Sequence, residues 1–293
     1  MYVRASGSTA YRPPPVATRA GFGLPPRARA GAGQAVYHAG VCTISSQLAP
    51  GWLVVTMNRD ELLARPPERP PVEHPREGDA PAWVAPVDGQ AGGTWFAANA
   101  RGLVGCLINR YLPGDPEVPT PAGDRPSRGG ILPMLVACGG YGEALAWLRK
   151  RFDPSPYAGF DLLVAAPDGR TLLTWDGEGP LRETPWQAGW RQTASSSWKS
   201  PEVLTWRHER FGEWLTAGAQ HVGPLPTYHL LQPAGAEALA PLMRRRYAAT
   251  RSITQAEVDR SAGAVTLRYW PAPDPARPDQ PPAAKHVLPL CGE

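Results

Sequence analysis

Cys42 opens the first orderly stretch of this chain, GVCTISSQLAPGWLVVTMNRDELLARP, and is the first residue there able to make and break a covalent bond. A thiol attacks a carbonyl only as its thiolate, so something beside it must take the proton. Histidine is the usual partner, but the six histidines are dispersed; His38, four residues before Cys42, belongs to the lead, and none lies within the orderly stretch itself. One arrangement needs no second side chain. Were Cys42 the first residue, its α-amine, with a pKa of about 7.7–8.0, would be partly neutral at pH 7 and could act as the base. A positioned base is worth about 10²–10⁴-fold in rate. Further polar clusters follow: Asn58-Arg59-Asp60-Glu61, then AGGTW (Ala91 to Trp95), then Asn109. Singly, each has a plainer reading. Cys42 suits a small buried site, and the charged cluster suits a solvated turn or the cap of a short helix, ELLAR. AGGTW suits a glycine-rich strand entry, since no Lys-Ser/Thr follows to make a phosphate loop. Asn109 suits a strand end.

The elements that must position these residues are mainly hairpins. Residues 42–48 and 52–57 pair around Pro50-Gly51, the second run being rich in branched and aromatic side chains. Residues 65–81 are a proline-rich loop. GGTWFAANARGLVGCLIN gives two strands turning at 99–102, and FDLLVAAPDGRTLLTWDG gives two more around Pro167-Asp168-Gly169. Helices are expected near 128–138, 141–151, 201–216 (with Ser200 as cap and Pro201 at its first position) and 235–246. Strands near 250–258 and 263–270 precede a proline-rich tail, 271–293. Runs of strands alternating with runs of helices imply stacked hairpins with helices outside, not βαβ units.

In order and spacing, Cys42, Asn58 to Glu61, Arg65-Pro66, Ala91 to Trp95, Asn109 and Ser127 to Gly129 resemble the NRDE family, also called the transport-and-Golgi-organisation family. The resemblance is strong over 42–130 and fainter beyond. That family is in turn similar to the N-terminal-nucleophile (Ntn) hydrolases, including cysteine-dependent penicillin and bile-salt amidases. The resemblance implies an α+β fold, a four-layer αββα sandwich of two antiparallel sheets. It implies that Cys42 attacks a C–N amide while its α-amine shuttles the proton. Asp60 would hold that ammonium, Arg59 would tune the thiolate or orient substrate, and Asn109 would donate to the oxyanion. Substrate binding falls to Asn58, Trp95, Arg128 and Ser196. Relatives carry Ser-Asn where this chain has Ser195-Ser196-Ser197, so an asparagine donor is missing there.

The net charge of +4 comes from residues 1–41, which hold five arginines and no acid; the remainder has 25 basic and 26 acidic side chains. A near-neutral body lacks the basic stripe of a nucleic-acid binder. No apolar run reaches the length of a membrane span. Four cysteines without CxxC spacing suit free thiols in a reducing, cytoplasmic setting, and no zinc-ligand spacing occurs. Residues 1–41, rich in Ala, Gly, Pro and Arg, are expected to be a disordered extension or the product of too early a start codon, with the domain at 42–270. In the chain as written this lead blocks the α-amine. A second function class therefore stands beside the hydrolase: a non-enzymatic carrier of haem or lipid in a Trp-lined cleft, with Trp95 and Trp198 as candidate walls. The first needs no cofactor and takes a small-molecule amide; the second takes a lipid or haem cargo. His208 is expected on a solvated helix face, and Arg244-Arg245-Arg246 at a helix end. Nothing in the sequence fixes an oligomeric state.

Overall fold

The structure is a computed structural model describing residues 41–112 and 125–291, which lie within the compact unit Val36–Glu293. The expectation for 1–40 falls outside the described residues. In chain order the elements are β1 (Val41–Ala49), β2 (Trp52–Leu62), β3 (Arg69–His74), β4 (Trp83–Val87), β5 (Phe96–Asn99) and β6 (Val104–Asn109). After a 3-10 turn at Arg128–Gly130 come α1 (Ile131–Ala137), α2 (Tyr141–Lys150), β7 (Phe160–Ala166), β8 (Gly169–Trp175), β9 (Arg182–Pro185) and β10 (Gly189–Ser196). Then follow α3 (Ser200–Thr216), the short pair β11 (His221–Val222) and β12 (Leu225–Pro226), β13 (Ala248–Asp259), β14 (Ala264–Pro271) and β15 (Ala284–Pro289). One antiparallel sheet runs β10-β1-β2-β13-β14-β15 and the other β3-β4-β5-β6-β7-β8-β9.

Period-two alternation decides the layering. From β2, Leu53, Val55 and Met57 join Ile44, Phe96, Val104, Cys106, Ile108 and Leu163 in a core shared by the two sheets. The opposite face of the second sheet buries Ala97, Leu107, Leu162 and Val164 against Ile131, Leu132 and Leu135 of α1 and Ala144, Leu145 and Leu148 of α2. On the first sheet's outer face, Phe211 and Trp214 of α3 pack with Tyr228 and Trp190. Helices, sheet, sheet, helix: the αββα sandwich is present.

Several elements differ from expectation. The loop at 65–81 contains β3, an edge strand whose Pro70 and Pro71 cannot donate to a ladder and coincide with a register break. The tail supplies β15, which pairs with β14 at the other sheet's edge. Strands β9 and β10 also arise where no strand was expected. No helix forms at 235–246. Pro241 removes an N–H and disfavours helical backbone at Ala240, and the carbonyls of Ala238, Leu239, Ala240 and Pro241 instead accept from Arg245, Arg207 and Asn58. Arg245 thus anchors a loop rather than a helix end, with its guanidinium 4.3 Å above Trp198. His208 is exposed on α3, as expected.

Candidate active site

Cys42 lies at the second position of β1, on the face that packs toward the inter-sheet core. It borders a cavity of about 540 Å³ between the ends of the two sheets. Arg59, Asp60, Glu61, Arg65, Asp88, Trp95, Asn109, Arg128 and Ser195 border the same cavity. The sequence clusters therefore converge, but the charged cluster is not used as one unit. Because Asn58 to Glu61 lie in β2, their side chains alternate between faces; the turn and helix-cap readings do not hold.

On the cavity face, Arg59 meets Glu68 at 3.0 Å, Asp88 at 2.7 Å and Glu61 at 3.3 Å, and its guanidinium lies 4.3 Å above the Trp95 ring. Arg65 meets Asp88 at 3.0 Å and Glu61 at 3.5 Å. Asp88 Oδ1 also accepts the backbone N–H groups of Gln90 and Ala91, which shapes the loop into AGGTW. Burial opposes ionisation of Asp88, but Arg65, the Ala91 N–H and Arg59 hold its carboxyl below the ordinary value. Arg59, whose charge acts on the Cys42 thiol, is thus already met by three acids, two of them shared with Arg65.

The other face of the hairpin is closed. Asp60 accepts from Thr250 Oγ1 at 2.5 Å and from Arg207 Nη2 at 3.3 Å. Arg207, fully buried on α3, also donates to Thr43 Oγ1, Leu239 O and Ala240 O. A register shift between Thr250 and Ser252 sets Thr250 opposite Asp60. Burial pushes the Asp60 carboxyl up to about 6 despite Arg207 and Thr250. The carboxylate expected to hold an ammonium at Cys42 is instead engaged behind the sheet, and what approaches the thiol is Asp60's backbone oxygen, 4.0 Å from Sγ. Asn58 is likewise displaced from a substrate role. It is absent from the cavity wall and buried, donating to His229 O and Pro241 O and accepting from His229 Nδ1.

Asn109 is half-buried at the end of β6, its Nδ2 donating to Tyr111 Oη at 3.0 Å. Arg128 is placed by glycines. A side chain at Gly93 would sit 2.6 Å from a Gly129 backbone carbon, so only two glycines allow Thr94 N–H to reach Gly129 O at 3.0 Å. AGGTW and Ser127-Arg128-Gly129 are therefore one backbone contact written twice in the sequence. On β10, Ser195 rather than Ser196 faces the cavity. Ser195 pairs with Cys42 in register and shares its face, whereas Ser196 Oγ bonds to its own loop at Trp198 O. Ser195 Oγ and Trp95 Nε1 are buried without a hydrogen-bond partner. Sequence reasoning missed Ser195, Arg207 and His229. Arg207 alone left a trace, as a charge within the apolar stripe Val203, Phe211, Trp214.

Burial, then the Asp60 charge, pushes Cys42 up to about 12, and none of the described residues that border the cavity is a histidine. The four cysteines are free, and no group of three or more His, Cys, Asp or Glu suited to a metal occurs among the described residues. Nor is any helix among them long and apolar enough to cross a membrane.

Comparison with known proteins agrees with this architecture. An orthologue of N-acylethanolamine-hydrolyzing acid amidase from Caenorhabditis elegans superposes with a TM-score of 0.52 at 12% identity, covering 85% of this chain and all of that one. A conjugated bile acid hydrolase from Clostridium perfringens gives 0.49 at 9% identity, over 85% and 92% of the two chains. Penicillin V acylase from Agrobacterium tumefaciens gives 0.41 at 11%, over 78% and 82%. At 12% identity the likeness to the nematode protein concerns the fold, which is Ntn-hydrolase-like, and says nothing about substrate. No curated protein sequence matches. The profile of the family Transport and Golgi organisation 2 matches residues 42–217, more than half of the chain, and this protein belongs to that family.

Proposed function

We propose that this protein is a cysteine hydrolase of the Ntn type, cleaving a C–N amide bond with Cys42 as nucleophile once residues 1–41 are gone. The observation that carries this reading is the placement of Cys42 at the head of β1, on the cavity face, beside Asn109 and Arg59. With the thiol pushed up to about 12 in the unbroken chain, this reading requires a base at the sulfur, and no described side chain bordering the cavity is a histidine. A free α-amine on the same residue would serve as that base.

In that state the α-amine takes the thiol proton as Sγ bonds to the amide carbon. Asn109 donates to the oxygen, whose negative charge develops as the carbonyl opens. The C–N bond breaks, the leaving nitrogen takes the proton from the ammonium, and water then cleaves the thioester to a carboxylic acid, regenerating the thiol. Arg59 acts as a buttress that fixes Trp95 and Asp88 around the nucleophile. Asp60 and Arg207 hold the strands from behind. Free thiols suit a reducing setting, and the cytoplasm is the proposed location. The test is a chain starting at Cys42, assayed on a panel of acyl-amides beginning with N-acylethanolamines. Turnover is expected from that chain and not from Cys42→Ala; equal turnover by both would remove Cys42 from the chemistry.

One observation favours the carrier reading: in the unbroken chain burial raises the thiol, and no histidine is among the described residues around it. Full-length protein that retains an acyl-amide unchanged through gel filtration would support it. The haem variant has less support, because Arg59, Glu61, Arg65 and Asp88 give the cavity a charged wall. A Soret band abolished by Cys42→Ala would reverse that judgement.

A further inference from the structure

The arginines of the cavity fall into two unlike pairs. Arg59 and Arg65 are enclosed by Glu61, Glu68 and Asp88. Arg128 and Arg125 form no ion pair with any described residue. Arg128 makes one hydrogen bond, from Nη1 to Gly159 O at 2.7 Å, an oxygen that also accepts the Arg110 backbone N–H. That leaves most of its five N–H donors without an acceptor among the described residues. None of these donors is among the buried unpartnered atoms, so water meets them in the free protein and an anion entering the cavity would take its place. Burial already lowers its hold on the proton, while the nearby Tyr111 and Cys42 pull the other way.

The surrounding side chains have the same bias. Ser195 Oγ and Trp95 Nε1 bring further unused hydrogen-bond donors to the wall. The wall's two cavity-face carboxylates, Glu61 and Asp88, are already held by Arg59 and Arg65. Spare capacity therefore lies chiefly with donors, which suits an acceptor-rich group. The position is also built rather than incidental, since the Gly93–Gly129 backbone contact fixes the turn that carries Arg128. A single half-buried guanidinium balances a monoanion, and AGGTW is not a phosphate loop.

We propose that Arg128, on the cavity that Cys42 opens into, receives a carboxylate carried by the substrate, so that the amide cleaved is one that also bears a carboxylate, with Arg125 steering it at the rim. The class is deduced on the hydrolase reading, but the binding preference is measured without turnover. Full-length protein carrying Cys42→Ala is titrated calorimetrically with N-phenylacetylglycine, with its neutral counterpart N-phenylacetylethanolamine, and with phenylacetate. The glycine conjugate is expected to bind at least about tenfold tighter than the ethanolamide, the size of one charge-assisted contact. Adding Arg128→Gln, which keeps a donor for Gly159 O, should remove that difference and leave ethanolamide binding within about threefold. Arg125→Gln should lower only the association rate, and most at low salt.

Equal affinity for the two conjugates in the Arg128-intact protein overturns the proposal, and so does no detectable binding of the glycine conjugate. That comparison needs no further variant, so misfolding of Arg128→Gln cannot protect the idea. Phenylacetate binding as tightly as the glycine conjugate also overturns it, because Arg128 would then hold the acid product. Failure of the hydrolase reading shows separately, as absence of turnover by a chain starting at Cys42 on any amide.

Discussion

The two faces of the β1–β2 hairpin carry similar chemistry to opposite ends. The outer face holds a Ser45–His229–Asn58 chain, with Ser45 Oγ 2.6 Å from His229 Nε2 and His229 Nδ1 2.5 Å from Asn58 Oδ1. Asn58 Nδ2 donates to two carbonyls, which leaves Oδ1 as acceptor and fixes the His229 proton on Nδ1; Ser45 then donates to Nε2. In outline this is a nucleophile, a base and an orienting amide. All three are buried, however, and none borders the cavity. The inner face has Cys42 with no histidine among the described residues beside it, yet it opens onto about 540 Å³ of space. Access, not constellation, separates a reactive face from a structural one.

The sharpest way to break that comparison is to remove each nucleophile in turn from a chain that starts at Cys42. Cys42→Ala is expected to lower amide turnover at least about 10³-fold. Ser45→Ala should leave turnover within a few-fold and instead destabilise the fold by about 1–3 kcal/mol, by leaving a buried His229 Nε2 unpaired. Denaturant titration beside the kinetics reads both. Loss of turnover in Ser45→Ala without loss of stability would reverse the assignment of the two faces.

Next in size is Arg207→Met. It strips the buried Asp60 of its cation and Thr43 of its donor, at an expected cost of about 3–5 kcal/mol in urea unfolding. Pairing it with Asp60→Asn should recover much of that loss, since the charge left stranded is gone. Additive losses would mean that the two side chains are not coupled. On the inner face, Asn109→Ala is expected to lower turnover about 10²-fold with little change in stability. A drop in stability with turnover intact would make Asn109 a brace for Tyr111 instead.

Local patterns made much of this legible. Alternating β2, the hairpin at Pro167-Asp168 and the α1–α2 pair each bury their own apolar faces, so short-range periodicity sufficed for them. Cys42, Arg59, Trp95, Asn109 and Arg128 were legible through the order and spacing of motifs that resemble the family, and the structure brings all five to one cavity. The outer face was not. Arg207 and His229 reach β1 and β2 from far along the chain, and such pairing leaves no local signature. Ser196 was chosen over Ser195 because a one-residue choice in a strand is a choice of face, and the run Ser195-Ser196-Ser197 does not mark which. Edge strands β3 and β15 hid among prolines, which edges tolerate and central strands do not.

The smallest effect concerns acid stability, where the outer face contains its own opposition. His229 falls from 6.5 to about 3, because burial, then the charges of Arg207 and His221, disfavour its cation. Asp60 climbs from 3.8 to about 6, mainly because burial disfavours its anion. Between pH 6.5 and 3 the unfolded chain takes up the histidine proton first, so His229 makes stability fall as pH falls. Between pH 6 and 4 the folded chain takes up the aspartate proton first, so Asp60 makes stability rise as pH falls. The histidine window is wider, so the two leave a net loss of stability on acidification. His229→Gln, which removes one side of the balance, should be less stable at pH 7 but reverse the slope, gaining stability from pH 6 to pH 4. An unchanged acid slope in that variant, measured by urea unfolding at each pH, would show that His229 is not held neutral behind the sheet. The outer face would then be open to solvent, and the contrast with the Cys42 face would no longer rest on access.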